Sequence, residues 1–460
     1  MTASVTQRLA EWIVEARYED IPQVGVERVR ERVLDSLGVQ LGGMSVQTGQ
    51  ILAAWIRAQG ARAESTVVGG GFKTTAAFAA LANASSGHAL EFDDIAPGSG
   101  HYANPLTATS LAVAEKVGAS GKDMILAWMV GNDVTARTAR LSQGPRGHEL
   151  LVKGWFNQGF QPALGAAAIA AKLLKLDVRQ TAMVLGQAAT GMAGMIKNRG
   201  SDSKSYVAGN ASMQGVIAAE LISMGFTAND DIIEGDIGLA SLIGFEGVDP
   251  QVVLAGLGQW DMVERSSTLR LHACCGASHF SQDALQQLLK RRPTAPGDIE
   301  SITVEISDFL MTMMPYHAPE TGLQAKYSLE YDLAAIALDG KAGFHEYSDA
   351  AVQRPEAREM MRKVAIVSKT GGLASARESR VVVKLKNGEV LEGAASRSHG
   401  SPADPLTREE IVGKFNDCAS GIASQAERER ILDLCLRLES VANVRELAEA
   451  VSFAPRLATA

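Results

Sequence analysis

Three residues far apart in this chain carry side chains suited to moving a proton beside a carboxylate: His101, Lys204 and Tyr331. An imidazole changes charge near neutral pH and can act as base or acid. A lysine ammonium holds an anion, and a phenol donates a hydrogen bond or a proton. His101 follows Gly98-Ser99-Gly100 in a predicted loop, downstream of a stretch that reads His-Ala-Leu-Glu-Phe-Asp-Asp from His88 to Asp94. Asp93 and Asp94 supply carboxylates able to orient its ring and raise its basicity. Taken alone, a loop histidine is more often a plain surface residue.

Lys204 sits in the Gly200 to Asn210 segment, just ahead of a small-residue helix. A loop before a helix start is expected there, where backbone N–H groups and the helix dipole favour anions. Lys197 and Arg199 make the segment cationic within an acidic protein, which favours carboxylate binding over a solvated surface lysine. Tyr331 closes a Lys-Tyr-Ser-Leu-Glu-Tyr run that begins at Lys326. A packed core tyrosine with one satisfied hydroxyl explains it equally well.

Helices must position the first two of these residues. Val26, Val29, Val33, Leu37 and Leu41 recur at helical spacing, with Pro22 punctuating ahead of them. Further Ala-rich helical segments are predicted near 74–90, 105–117, 122–140, 163–174, 179–195 and 208–224. Strand-like alternation is scarce before residue 260, so that region is expected to be all-helical. After about residue 268 the texture changes. Ile302, Val304 and Ile306 alternate like a half-buried strand, and 364–367 suggests another. Residues 380–386 and 389–392 flank Asn387-Gly388, which predicts a hairpin with a type I′ turn. Helix returns at Thr407-Arg408-Glu409-Glu410, a capping-box pattern. The expectation is a mostly α protein, with residues 1–267 and 403–460 forming a helical domain and 268–402 a smaller inserted α+β domain.

Two tempting motifs are set aside. Gly69 to Gly71 lacks Walker spacing and a surrounding βαβ unit, so a tight turn is the better reading than a nucleotide loop. Cys274 and Cys275, near His272 and His279, lack the Cys-x-x-Cys spacing of a metal site. No metal or other cofactor is expected.

The bulk numbers bound the rest. With 460 residues and 46% hydrophobic content the chain can bury a large core. Only 5% is aromatic while 45 residues are glycine, which favours close helix packing over a β-sandwich. A net charge of -8 argues against nucleic acid or an anionic membrane as main partner. Four cysteines make no disulfide framework, no cleavable signal opens the chain, and no apolar run reaches the roughly 18 residues of a membrane span. A cytoplasmic protein is expected.

Together these segments resemble the MmgE/PrpD family of 2-methylcitrate dehydratases and cis-aconitate decarboxylases, over nearly the whole chain. The carrying motifs are the His88 to Asp94 stretch, the Lys204 segment, Gly225-Phe226-Thr227 with Ile232 to Gly235, and Ala335 to Gly340. The resemblance implies a helical domain with an α+β lid, a homodimer, and a cofactor-free site between the domains. It implies substrates that are small di- and tricarboxylates, handled by dehydration, decarboxylation or, in iminodisuccinate epimerase, inversion of an α-carbon. His101 then matches the family's loop histidine and the predicted acid/base, Lys204 its anion-binding lysine, and Tyr331 its lid tyrosine. Arg270 stands for a lysine at the domain junction and is expected to clamp a carboxylate. Glu91, Asp94, Phe156, Cys275 and His279 complete the expected substrate lining.

The departures are specific. Glu91 replaces an aspartate, Ile95 a threonine, Phe156 a histidine in Gly-Trp-Phe-Asn-Gln, and Val207 another histidine. Cys275, in place of a histidine, and Ile196-Lys197-Asn198 are similar to the iminodisuccinate enzyme. The leading expectation is a lyase acting on a small carboxylate other than 2-methylcitrate. An epimerase and a catalytically degenerate binding or structural dimer are the rivals.

Overall fold

The computed structural model describes residues 4–96, 100–144, 147–370 and 378–453. Gly98 and Ser99 of the predicted loop before His101 lie outside the described residues. The chain folds into two compact units: Met1–Ala89, Asp93–Ser267 and Ile411–Ala460 form the first, and Leu90–Phe92 with Thr268–Glu410 the second.

The first unit is helical. It contains α1 (Val5–Glu15), α2 (Gln23–Met44), α3 (Gln47–Ala58), α4 (Ala76–Ala89), α5 (Ala103–Val117), α6 (Gly121–Ala139), α7 (Gln161–Leu173), α8 (Val178–Thr190) and α9 (Asp202–Ser223). The predicted stripe on α2 is buried along its whole length, and each Val or Leu so buried contributes roughly 1.5–3 kcal/mol. Helix ends follow local chemistry. Ser120 and Asp123 form a capping box on α6, as Asp177 and Gln180 do on α8. Gly118 ends α5 at φ 68°, a left-handed conformation that suits a residue without Cβ.

Three expectations for this unit need correction. It is not wholly helical: β1 (Ser65–Val67) and β2 (Phe72–Thr74) pair antiparallel around the Gly69 to Gly71 turn, and three residues each are too few to show alternation. The helix expected to reach 195 stops at Thr190, before Gly191 and Gly194. The last one starts earlier than its apolar pattern suggests. Ser201 is the N-cap residue of α9, so Lys204 lies in the first helical turn and not on a loop.

Small residues let these helices approach closely. A Cβ added at Gly209 of α9 would lie 2.0 Å from Ser85 Oγ and 2.4 Å from the Leu81 carbonyl oxygen of α4. Ser212 of α9 donates to the Pro105 carbonyl at 3.1 Å. One at Gly43 would lie 1.8 Å from the Ser86 carbonyl oxygen, and one at Gly87 would meet the Asn104 amide. Asn104 in turn donates to the Ala84 carbonyl at 2.8 Å and accepts from Gln40 at 3.0 Å. The C-terminal turn of α4, which carries His88, is thus held between α2, α5 and α9.

The second unit carries α10 (His279–Arg291), α11 (Leu329–Asp339) and α12 (Pro355–Arg362) with a four-stranded sheet. Its strands are β3 (Ile299–Ser307), β4 (Val364–Lys369), β5 (Ser379–Leu385) and β6 (Val390–Ala395), in the order β4-β3-β5-β6. β3 and β4 run parallel and the other pairs antiparallel. The β5–β6 hairpin forms, but not on a type I′ turn. Gly388 N–H donates to the Leu385 carbonyl at 2.9 Å, and Leu385 N–H to that of Glu389 at 2.8 Å. Gly388 has φ 88°, whereas Asn387 is not among the positive-φ residues and uses its side chain to accept from Glu389 N–H. Three residues, and not two, therefore make the loop. The chain rejoins the first unit within α13 (Arg408–Ala419), followed by α14 (Gln425–Leu436) and α15 (Arg445–Ala450). Thr407 and Glu410 make the expected capping box on α13.

Candidate functional site

In the first unit, the chain between α4 and α5 gathers two imidazoles and two carboxylates. His88 is fully buried and donates Nδ1–H to Asp93 Oδ2 at 2.6 Å. His101 keeps 12% of its side chain exposed. Its Nδ1 is 2.6 Å from the Asp94 carbonyl oxygen, which can only accept, so Nδ1 carries a proton. Asp93 Oδ1 flanks the same Nδ1 at 3.7 Å, and the two imidazole rings are 4.9 Å apart.

Asp94 serves this arrangement twice. Its carbonyl orients His101, and its Oδ1 accepts from Tyr102 N–H at 3.0 Å and Ala103 N–H at 2.9 Å, holding the start of α5. Its carboxyl pKa is raised to about 7, first by burial and then by the negative charge of Asp93. Arg32 works against this shift; burial lowers its own pKa, and it donates to Ser266, Ser267 and the Ser267 carbonyl. Deeper still, Asp35 pairs with Lys414 at 2.7 Å, and burial raises the Asp35 pKa.

Lys204 lies five residues before Gly209, about 7.5 Å along the axis of α9, the helix that packs on α4 and on the start of α5. It is buried in the first helical turn, where the unpaired backbone N–H groups and the helix dipole favour negative charge. One turn on, Val207 faces a wall. A Cβ added at Gly194 would come 2.7 Å from Val207 Cγ1 and 3.6 Å from Phe156 Cβ. Phe156 and Val207, both positions where the resemblance implied a histidine, therefore lie beside the same glycine.

In the second unit the Leu90–Phe92 segment is gripped by two cations. Arg270 Nη1 donates to Glu91 Oε2 at 3.1 Å, to the Glu91 carbonyl and to the Cys274 carbonyl at 2.9 Å. Glu91 has φ 50°, a left-handed backbone rarely adopted by a residue with a Cβ. Lys326 donates to the Leu90 carbonyl at 2.6 Å and to that of Ala273 at 3.0 Å. Arg270, expected to clamp substrate, thus has one nitrogen committed to Glu91.

Tyr331 is fully buried and donates its hydroxyl to the Glu346 carbonyl, so giving a proton to a substrate requires that bond to break. Its ring packs edge-on against Tyr347, which donates to Asp332 at 2.6 Å. Burial raises the Asp332 pKa to about 7. His279 is buried at the start of α10, 5.3 Å ring to ring from His272, which pairs with Asp283 at 2.9 Å. Cys275 is partly exposed, whereas Cys274, Cys418 and Cys435 are buried.

Three residues that brace these segments stand outside the set expected from the sequence. His88 was legible only as part of a motif, Lys326 only as the start of one, and Arg32 gave no signal beyond interrupting an apolar helix face. Among the described residues, His88, Asp93 and His101 also form a group whose potential metal-ligating atoms lie within 4.8 Å of one another. His88 Nδ1 bonds Asp93 Oδ2 and His101 Nδ1 bonds the Asp94 carbonyl, so neither of these two nitrogens offers a lone pair in this arrangement.

The chain matches the MmgE/PrpD N-terminal domain over residues 7–250 and the MmgE/PrpD C-terminal domain over residues 272–438. It is 26% identical to cis-aconitate decarboxylase of Mus musculus over 460 residues, covering 96% of this chain and 92% of that protein. Identity to the Homo sapiens cis-aconitate decarboxylase is 24%, covering 96% and 93%. For cis-aconitate decarboxylase of Aspergillus terreus it is 25%, covering 97% and 96%.

Proposed function

The chain belongs to the MmgE/PrpD family, and from that premise we propose that it is a cofactor-independent lyase acting on a small di- or tricarboxylate, with His101 as its acid/base. The observation that carries the reading is the His101 Nδ1 hydrogen bond to the Asp94 carbonyl, with the Asp93 carboxylate 3.7 Å from the same Nδ1, which assigns the base role to Nε2. Lys204, at the N-terminus of α9, holds a substrate carboxylate. Arg270 acts by holding Glu91, and Tyr331 takes no direct part.

Between the two lyase reactions, decarboxylation is favoured. Loss of CO₂ leaves an electron pair delocalised into a neighbouring carboxylate or unsaturated system, and one proton delivered to carbon completes the reaction. Dehydration needs a base at carbon and an acid at the leaving hydroxyl. With Phe156 and Val207 where the family has histidines, one proton-transfer group suffices for the first reaction and not for the second. The same pair argues for a substrate with an apolar arm, since an unpaired carboxylate against that wall would be desolvated without compensation. The relatives named as cis-aconitate decarboxylases support this class of reaction.

The epimerase reading keeps one supporting observation: Cys275 is the partly exposed thiol of the four. Following the protein by NMR in D₂O with aconitate, methylcitrate, citramalate and iminodisuccinate analogues separates the readings. A lyase yields CO₂ or a new alkene, and an epimerase yields α-deuteration with inversion. Binding without turnover across the panel would replace both with a non-catalytic role.

A further inference from the structure

We propose that His88 is a positioning residue for His101, acting through Asp93, so that a buried His–Asp–His array sets which nitrogen of the catalytic imidazole faces substrate. The inference rests on the assignment of His101 as acid/base and adds a residue to which no role has been given. Three observations carry it. His88 is immobilised at the end of α4, where a Cβ on neighbouring Gly87 would collide with Asn104 and one on Gly43 with the Ser86 backbone. Its Nδ1 lies 2.6 Å from Asp93 Oδ2, a short charge-assisted geometry on a carboxylate that is itself 1% exposed. The other oxygen of that carboxylate lies 3.7 Å from His101 Nδ1.

The hydrogen bond from His88 opposes rotation of the Asp93 carboxylate away from His101. It therefore keeps a negative oxygen beside Nδ1, where a protonated imidazole would need it. The Asp94 carbonyl fixes the direction of the Nδ1–H bond, and Asp93 stabilises the imidazolium formed when Nε2 takes a proton. Other charges bearing on the array are the Asp94 and Asp35 carboxylates and the Arg32 and Lys414 cations, all in the same unit. The proton path is short and balanced: carbon gives or takes the proton at His101 Nε2, and no proton leaves Nδ1.

The test uses the full-length protein with ¹⁵N-labelled histidine. In the wild type the His101 signals, identified by their loss in His101→Ala, should show a single Nδ1–H tautomer. His88→Leu should mix the two tautomers and lower kcat on the most active carboxylate of the panel about 10- to 100-fold, with KM changed less than about twofold. His88→Asn places an amide N–H near the former Nδ1 and should restore both readouts. If His88→Leu does not fold, Asp93→Asn carries the test, with the same loss of the tautomer signature expected. The proposal is overturned if a folded His88→Leu keeps the His101 signature and full kcat, or if His88→Asn fails as badly as His88→Leu. Stoichiometric zinc retained by the wild type and lost in His88→Leu would also overturn it, in favour of a metal site. A tautomer change as described, with the whole substrate panel silent, would leave the positioning role standing and remove the lyase reading.

Discussion

His101 and Asp94 are bound to one another through a single backbone carbonyl, and two predictions follow from that bond. Replacing His101 by Ala removes the base and should lower turnover by about two to four orders of magnitude in the NMR assay. Asp94 makes a prediction about pH. Its folded pKa of about 7 exceeds the ordinary 3.8, so the folded protein holds a proton there that the unfolded chain has already released. Stability from this group is therefore present below about pH 4 and is lost as pH rises to about 7, by at most roughly 4 kcal/mol. Asp94→Asn keeps an oxygen for Tyr102 and Ala103 N–H but cannot ionise. Urea unfolding should show the variant gaining on the wild type by about 1–4 kcal/mol between pH 5 and pH 8; equal differences at both pH values would contradict the buried, proton-holding carboxyl.

At the scale of elements, glycine decides where helices touch. Gly209 has no room for a side chain against Ser85 and the Leu81 carbonyl. Gly209→Val should therefore destabilise the protein by about 2 kcal/mol or more and reduce turnover by displacing α4 and its histidine. Gly413 is the control. It is exposed inside α13, nothing lies within 4 Å of an added Cβ, and Gly413→Ala should stabilise by about 0.5–1 kcal/mol. Thermal unfolding of the pair checks both, and a harmless Gly209→Val would refute the close helix approach. The hairpin teaches a related lesson. Asn-Gly correctly marked the reversal, but the type I′ turn requires positive φ at both residues, and only Gly388 adopts it. The start of α9 was misplaced because polar Ser203 and Lys204 carry no apolar periodicity, whereas helix geometry begins at the Ser201 cap.

At the scale of the whole molecule, no helix among the described residues is long and apolar enough to cross a membrane. The family resemblance implies a homodimer, so light scattering at micromolar concentration should give twice the chain mass; a single-chain mass would overturn that expectation. The letters of the chain were enough to determine its mostly helical character, the α+β segment after residue 268, the Thr407 capping box and the family. These follow from spacing within a few residues, where backbone geometry imposes periods of 3.6 and 2. Partnership was decided only on folding. Arg270 meets Glu91 across 179 positions and Lys326 meets Leu90 across 236. Tyr331 satisfies its hydroxyl on the Glu346 carbonyl, and Phe156 and Val207 both lie beside Gly194. Periodicity says which face of an element is buried, but which polar group waits on the other side depends on how distant helices pack, and desolvation there determines whether a cation is left for substrate or consumed by a neighbour.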